Sequence, residues 1–226
     1  MFQDMIIDSL TGRKLNEMFS LLYNHFGPQG WWPGETTLEV MVGTVLTQNT
    51  NWKNAAKAIE NLKNRDLLSI NALYSLKESD LAQEIQSAGY FNIKAKRLKN
   101  LINYIVERYR GELSLLFEED TQNLRERLLS IKGIGPETAD SILLYAGNRP
   151  VFVIDAYTYR ILLRHSMCDE QIAYHELQEI FMDNLPEDAQ LFNEFHALIV
   201  QTGKEFCSKK PACDACPLKE WETVSV

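Results

Sequence analysis

LLSIKGIGPETADSILL, residues 128 to 144, sets two apolar helical stretches on either side of a tight turn, Gly133-Ile134-Gly135. A helix that runs into such a turn and out into a second helix exposes a row of backbone N–H groups. The concavity they form binds an anion such as phosphate. Glycine lets the backbone approach closely. Pro136 suits the first position of the second helix, where its missing N–H costs nothing, and Glu137 complements the dipole in the first turn. A bare corner between two helices, with no ligand, has the same pattern, so the turn alone leaves both readings open.

A dinucleotide site is the other reading of Gly-x-Gly followed by an acid, here Asp155. It fails on context. That motif needs a preceding strand and a third glycine, whereas TQNLRERLLS (121–130) reads as helix and the third position is Thr138.

Away from the turn the periodicity is helical throughout. Leu38, Met41, Val42, Val45 and Leu46 recur at spacings of three and four, as do Leu98, Leu101, Ile102, Ile105 and Val106. Prolines fall at turns or helix starts (FGPQGWWPGE, GNRPVF, NLPEDAQ) and no alternating strand of convincing length is present. The expected fold class is all-α, without internal repeats or a low-complexity linker. A chain of 226 residues, 45% of them hydrophobic, buries one substantial core or two small ones. No apolar run is long enough to span a bilayer, and MFQDMIIDSLTGRK lacks the basic start and apolar stretch of a secretory signal, so the expected location is cytoplasmic with no membrane partner.

The net charge of −8 counts against nucleic-acid binding, which depends on neutralised phosphates. Distribution counts for it. Lys94, Lys96, Arg97 and Lys99 cluster, Lys132 adjoins the turn, and Lys204, Lys209 and Lys210 gather near three cysteines. For the Lys94 run alone a solvated helix face is the preferred reading.

Four features in order carry a resemblance: LTQNTNW (46–52), GYFNIKAKRL (89–98), the glycine hairpin with Asp155 in VFVIDAYTYRIL, and a C-terminal cysteine cluster. Together they resemble the helix-hairpin-helix DNA glycosylases related to endonuclease III, and within them the 3-methyladenine branch. The resemblance covers most of the chain. It implies two helical lobes, one of residues 22–150 carrying the hairpin, the other of 151–226 with 1–21 packed on it, and an active-site cleft between them. It implies a monomer acting on double-stranded DNA that contains a damaged base. Lys132, Gly133, Ile134, Gly135 and Thr138 would grip DNA, and Gln48 would help fill the gap left by a flipped base, although a polar pair with Asn49 at a helix end needs no such role.

Asp155 follows VFVI and precedes a helical apolar pattern, so it reads as an N-cap. The resemblance adds a catalytic role, and the two are compatible. Cleavage of an N-glycosidic bond passes through an oxocarbenium-like sugar, which one carboxylate stabilises while orienting water. Bifunctional members carry in the hairpin a lysine that attacks the sugar as a Schiff base; the matching position here is Glu137, which cannot form an imine. A monofunctional glycosylase without lyase activity is the expectation.

The base pocket is expected from Trp31, Trp32, Pro33 and Trp52 with Glu137. Tryptophan faces and carboxylates favour a cationic base such as 3-methyladenine. Core packing is the plainer fate of tryptophan. Neutral lesions, whether mismatched thymine, mismatched uracil or oxidised pyrimidines, form one rival reading, and a non-catalytic DNA-binding module the other. His25, His165, His175 and His196 show no shared spacing and read as structural or surface residues.

Cys207, Cys213 and Cys216, spaced C-x5-C-x2-C, resemble the iron–sulfur loop of the endonuclease III-like enzymes, but the fourth thiolate is missing and its expected position falls at Glu222 or its neighbours. An iron–sulfur cluster with another ligand, a zinc or three-iron site, and a loop without metal all remain open, and Cys168 is a distant alternative ligand.

Overall fold

The computed structural model describes residues 9–221. Residues 1–8, the start of the N-terminal stretch that lacks a secretory-signal pattern, and Glu222, the expected fourth-ligand position, lie outside the described residues. Within them the chain is all α, with no strand. Its helices run α1 (Leu10–Phe26), α2 (Thr37–Leu46), α3 (Trp52–Asn64), α4 (Ile70–Ser75), α5 (Glu78–Glu84), α6 (Phe91–Tyr109), α7 (Leu113–Phe117) and α8 (Thr121–Ser130). They continue through α9 (Pro136–Ser141), α10 (Ala156–Arg164), α11 (Tyr174–Met182) and α12 (Ala189–Glu205).

Two compact units form, Trp32–Gly147 and the combination of Met1–Trp31 with Asn148–Val226. The sequence reading begins the first lobe at residue 22 and ends it at 150. In the structure residue 22 lies inside α1, whose whole length belongs with the second unit.

The Trp32–Gly147 unit is built round the largely apolar α2, whose Leu38 to Leu46 are all buried, Glu39 among them paired with Lys63 at 2.8 Å. Thr36 caps it through Glu39 N at 3.2 Å. On α6 the repeat Leu98, Leu101, Ile102, Ile105 is buried as its spacing requires. α9 passes directly into a π-helical turn, Ile142–Ala146.

In the other unit α1 and α12 supply Leu15, Met18, Leu22, Phe195 and Ile199 to the core. Phe152 stacks on Phe181 at 3.8 Å between centroids. Val151 to Ile154 are buried outside any helix and lead into α10, so the apolar VFVI anchors the residue that follows it.

Candidate active site

The hairpin takes the form its sequence predicts. α8 stops at Ser130, Ile134 N returns to Ile131 O at 3.0 Å, and Gly135 caps α9 with Pro136 at its start. Gly133 has φ +102, and a β-carbon there would run into the aliphatic part of Arg97. The position is therefore closed to other residues twice over, by conformation and by space. Ile134 and Thr138 are buried, whereas Lys132 and Glu137 are exposed. Asn100 Nδ2 holds the Lys132 carbonyl at 2.7 Å.

The turn after α2 is tied to this hairpin. Gln48 Nε2 donates to Gly133 O at 3.2 Å and to Thr138 Oγ1 at 2.9 Å, and Arg97 Nη1 donates to Gln48 Oε1 at 2.5 Å. Asn49, with φ +53, is the exposed residue of that turn.

The lysine run on α6 is not a solvated face. Lys94 is 1% exposed and donates to Leu46 O at 2.8 Å and Ala88 O at 2.7 Å, which secures the C-terminus of α2. Burial, and then the Arg97 charge, pull its pKa down to about 8. Lys99 donates to the carbonyls of Leu73, Tyr74 and Leu76 at the end of α4. Of the four basic residues in that run only Lys96 is fully exposed. Lys94 and Lys99 close the carbonyl ends of two neighbouring helices, and Arg97 holds Gln48.

Trp32 and Trp52 meet edge to face, 5.0 Å between centroids, and both close over Gly43 of α2. Tyr145, on the π turn, lies 5.1 Å from Trp32. The sequence reading missed Tyr145, and no spacing signal marks it, because a π turn has no distinctive sequence pattern. Pro33 is exposed beside them.

In the other unit Asp155 is the N-cap of α10. Its Oδ1 accepts from Tyr157 N at 2.9 Å, Thr158 N at 2.7 Å and Thr158 Oγ1 at 3.0 Å. One oxygen is thus fixed by the helix start. The other lies 3.9 Å from Nε2 of buried His196 on α12. Burial lowers the His196 pKa first of all, Asp155 opposes that, and Lys204 adds to it, so the ring is neutral near pH 7. Lys204 reaches solvent, yet its Nζ stands 5.5 Å from the centroid of Trp31. Burial lowers its pKa, with Asp155 opposing. The sequence reading set His196 aside as structural and Lys204 in a surface patch; the structure brings both to Asp155.

Gly203, next to Lys204, is covered by the ring of Tyr157, where a β-carbon would collide. Contact this close between α10 and α12 fixes the register of Asp155 against Lys204.

Cys207 is buried, Cys216 half-buried and Cys213 exposed. Burial raises the Cys216 pKa, to which Cys207 and Cys213 add. Among the described residues no group of three or more His, Cys, Asp or Glu side chains is placed to hold a metal ion. Arginines hold the loop: Arg160 Nε donates to Cys207 O at 2.6 Å, and Arg164 Nη1 donates to Cys207 Sγ at 3.0 Å and Ser208 O at 2.8 Å.

Residues 42–187 match the model of the HhH-GPD superfamily base excision DNA repair proteins. A Methanocaldococcus jannaschii protein provisionally named a DNA repair glycosylase is 50% identical over 206 residues, 91% of this chain and 94% of its own length. An endonuclease III of Sulfolobus acidocaldarius is 32% identical over 80% of this chain and 79% of its own. Among solved structures, the H. pylori 3-methyladenine DNA glycosylase MagIII, bound to 1,N6-ethenoadenine, superimposes with a TM-score of 0.72 at 32% identity, covering 86% of this chain and 97% of that one.

Proposed function

Because the chain belongs to the HhH-GPD superfamily of base excision DNA repair proteins, and is a DNA repair glycosylase at that level, we propose that it is a monofunctional hydrolase of alkylated purines flipped out of duplex DNA. The observation that carries the reading is Asp155. Its Oδ1 is held by two backbone N–H groups and the Thr158 hydroxyl, which leaves Oδ2 to face a developing positive charge. A preorganised carboxylate of this kind stabilises the oxocarbenium-like sugar and orients the water that attacks it.

The leaving group sets how much more is needed. A purine alkylated at N3 is already cationic and departs as a neutral base, so no acid has to push it out. Trp31, Trp32 and Trp52 provide aromatic faces suited to such a base, with Pro33 and the exposed Glu137 as further pocket residues. Glu137 stands where bifunctional members carry their nucleophilic lysine, and a carboxylate forms no imine. Lys132, Gly133, Ile134, Gly135 and Thr138 are assigned to the phosphate backbone and Gln48 to the gap beside them, a role for which its bonds to Gly133 O and Thr138 Oγ1 must open, and the protein acts as a monomer. The identity to an endonuclease III keeps strand cleavage on oxidised pyrimidines as the second reading. No step passes through the cysteine loop.

The test is base release from methylated duplex DNA, separated by chromatography, with nicks counted before and after alkali. Free 3-methyladenine with nicks only after alkali is the expected result. Nicking without alkali overturns the monofunctional assignment, and no release of any methylated base overturns the substrate class.

A further inference from the structure

Lys204 has no task in the mechanism above. For a cationic base it is a hindrance, since its ammonium stands on the Trp31 face and beside the carboxylate that should attract positive charge. An amine that reaches solvent, sits over a stacking surface and pairs electrostatically with the catalytic acid suits a different leaving group. A neutral purine lesion leaves as an anion unless a proton reaches its ring nitrogen as the bond breaks, and a positioned acid supplies that proton.

We propose that Lys204 is the proton donor that lets this site also excise neutral purine adducts. The proposal rests on the reading of Asp155 as the catalytic carboxylate. The C1′–N9 bond breaks with its electron pair going to the base, and Lys204 Nζ gives a proton to a ring nitrogen of that base. Water forms the new C1′–O bond; its spare proton passes to Asp155 and then to the neutral Lys204 amine. The cycle consumes one water and restores both side chains.

The surroundings of Nζ fit this traffic. Asp155 faces it from the head of α10, and His196 lies on its own helix. Arg160 is engaged on Cys207 O, and Glu205 accepts from Gln201 Nε2 at 3.4 Å. His25 of α1 packs on Phe206. A lysine displaced below its usual pKa by burial is a better acid than a free one.

The experiment compares single-turnover release of 1,N6-ethenoadenine, a neutral adduct, with that of 3-methyladenine, for the wild type and for Lys204→Met and Lys204→Arg. In Lys204→Met, ethenoadenine release should fall about 100-fold while 3-methyladenine release rises, because a like charge has gone. Lys204→Arg keeps the charge but not a transferable proton, so it should remain defective on ethenoadenine. For the wild type, ethenoadenine release should decline as pH rises through the Lys204 titration, with no matching decline for 3-methyladenine. Parallel losses on both substrates, or a pH profile shared by both, would overturn the proposal, and the wild-type profile decides this even if a variant misfolds. A wild type active on 3-methyladenine alone sinks the proton-donor role and leaves the alkylpurine reading standing. Release of neither base defeats both.

Discussion

His196 Nε2 lies 3.9 Å from Asp155 Oδ2, in a pair where the ring side chain is 7% exposed and the carboxylate 12%. A neutral imidazole beside the carboxylate supports it without adding charge, and a protonated one would compete with the substrate for it. This geometry gives a stability prediction. His196 has a folded pKa below its ordinary 6.5. At pH values below about 6.5 the unfolded chain therefore binds the proton more readily than the folded one, and unfolding is favoured. The stability is full above that value and is lost as pH falls through the folded pKa. His165, also lowered by burial, acts in the same direction. Urea unfolding at pH 7, 6 and 5 should show a declining midpoint, and His196→Gln should flatten the decline without removing it. An unchanged slope in the variant would assign the effect to other groups.

Asp155→Asn separates chemistry from architecture. Asparagine keeps the oxygen that caps α10, so melting should change by less than about 1 kcal/mol. Loss of the negative charge should lower single-turnover base release about 100-fold or more, with affinity for abasic duplex retained. Excision at the wild-type rate would dismiss the carboxylate mechanism.

Gly133→Ala meets two obstacles together, φ +102 and the Arg97 side chain. A cost of about 2 kcal/mol is expected from backbone strain, along with weaker DNA binding measured by anisotropy. An unimpaired variant would mean that Arg97 yields freely and the hairpin does not require its present form.

Lys94→Met tests the internal use of a lysine. Methionine fills similar volume but leaves the Leu46 and Ala88 carbonyls without their donor, which should cost about 2 kcal/mol in chemical denaturation. A variant as stable as the wild type would show that water replaces the ammonium.

Lys132→Met addresses the phosphate assignment. If Lys132 neutralises one phosphate, binding should weaken equally on lesion-bearing and undamaged duplex, and the slope of log K against log salt should shrink by about 1. An unaltered slope would remove Lys132 from the interface.

The helices were legible because their signals are local. Pro136 after Gly135, Asp155 before AYTYRILL and the apolar face of α6 each state their own structure within a few residues, and the match to the family model agrees. What stayed hidden depends on contacts between distant segments. Nothing adjacent to Lys94 or Lys99 announces that their charges turn inward onto carbonyls, so a row of bases looked like surface. Tyr145 joins Trp32 only because α9 runs into a π turn. His196 and Lys204 are separated from Asp155 by about forty residues or more of chain, and only the packing of α12 on α10 assembles them.

The ring of Tyr157 resting on Gly203 also bears on how this enzyme fails when heated. Carboxylate and amine are mounted on two helices pressed together at a point with no room for slippage, so neither drifts away by a small local loosening. Inactivation should therefore follow the melting of the whole unit instead of preceding it, and a heated sample will hold a mixture of fully competent and fully dead molecules with few sluggish ones between.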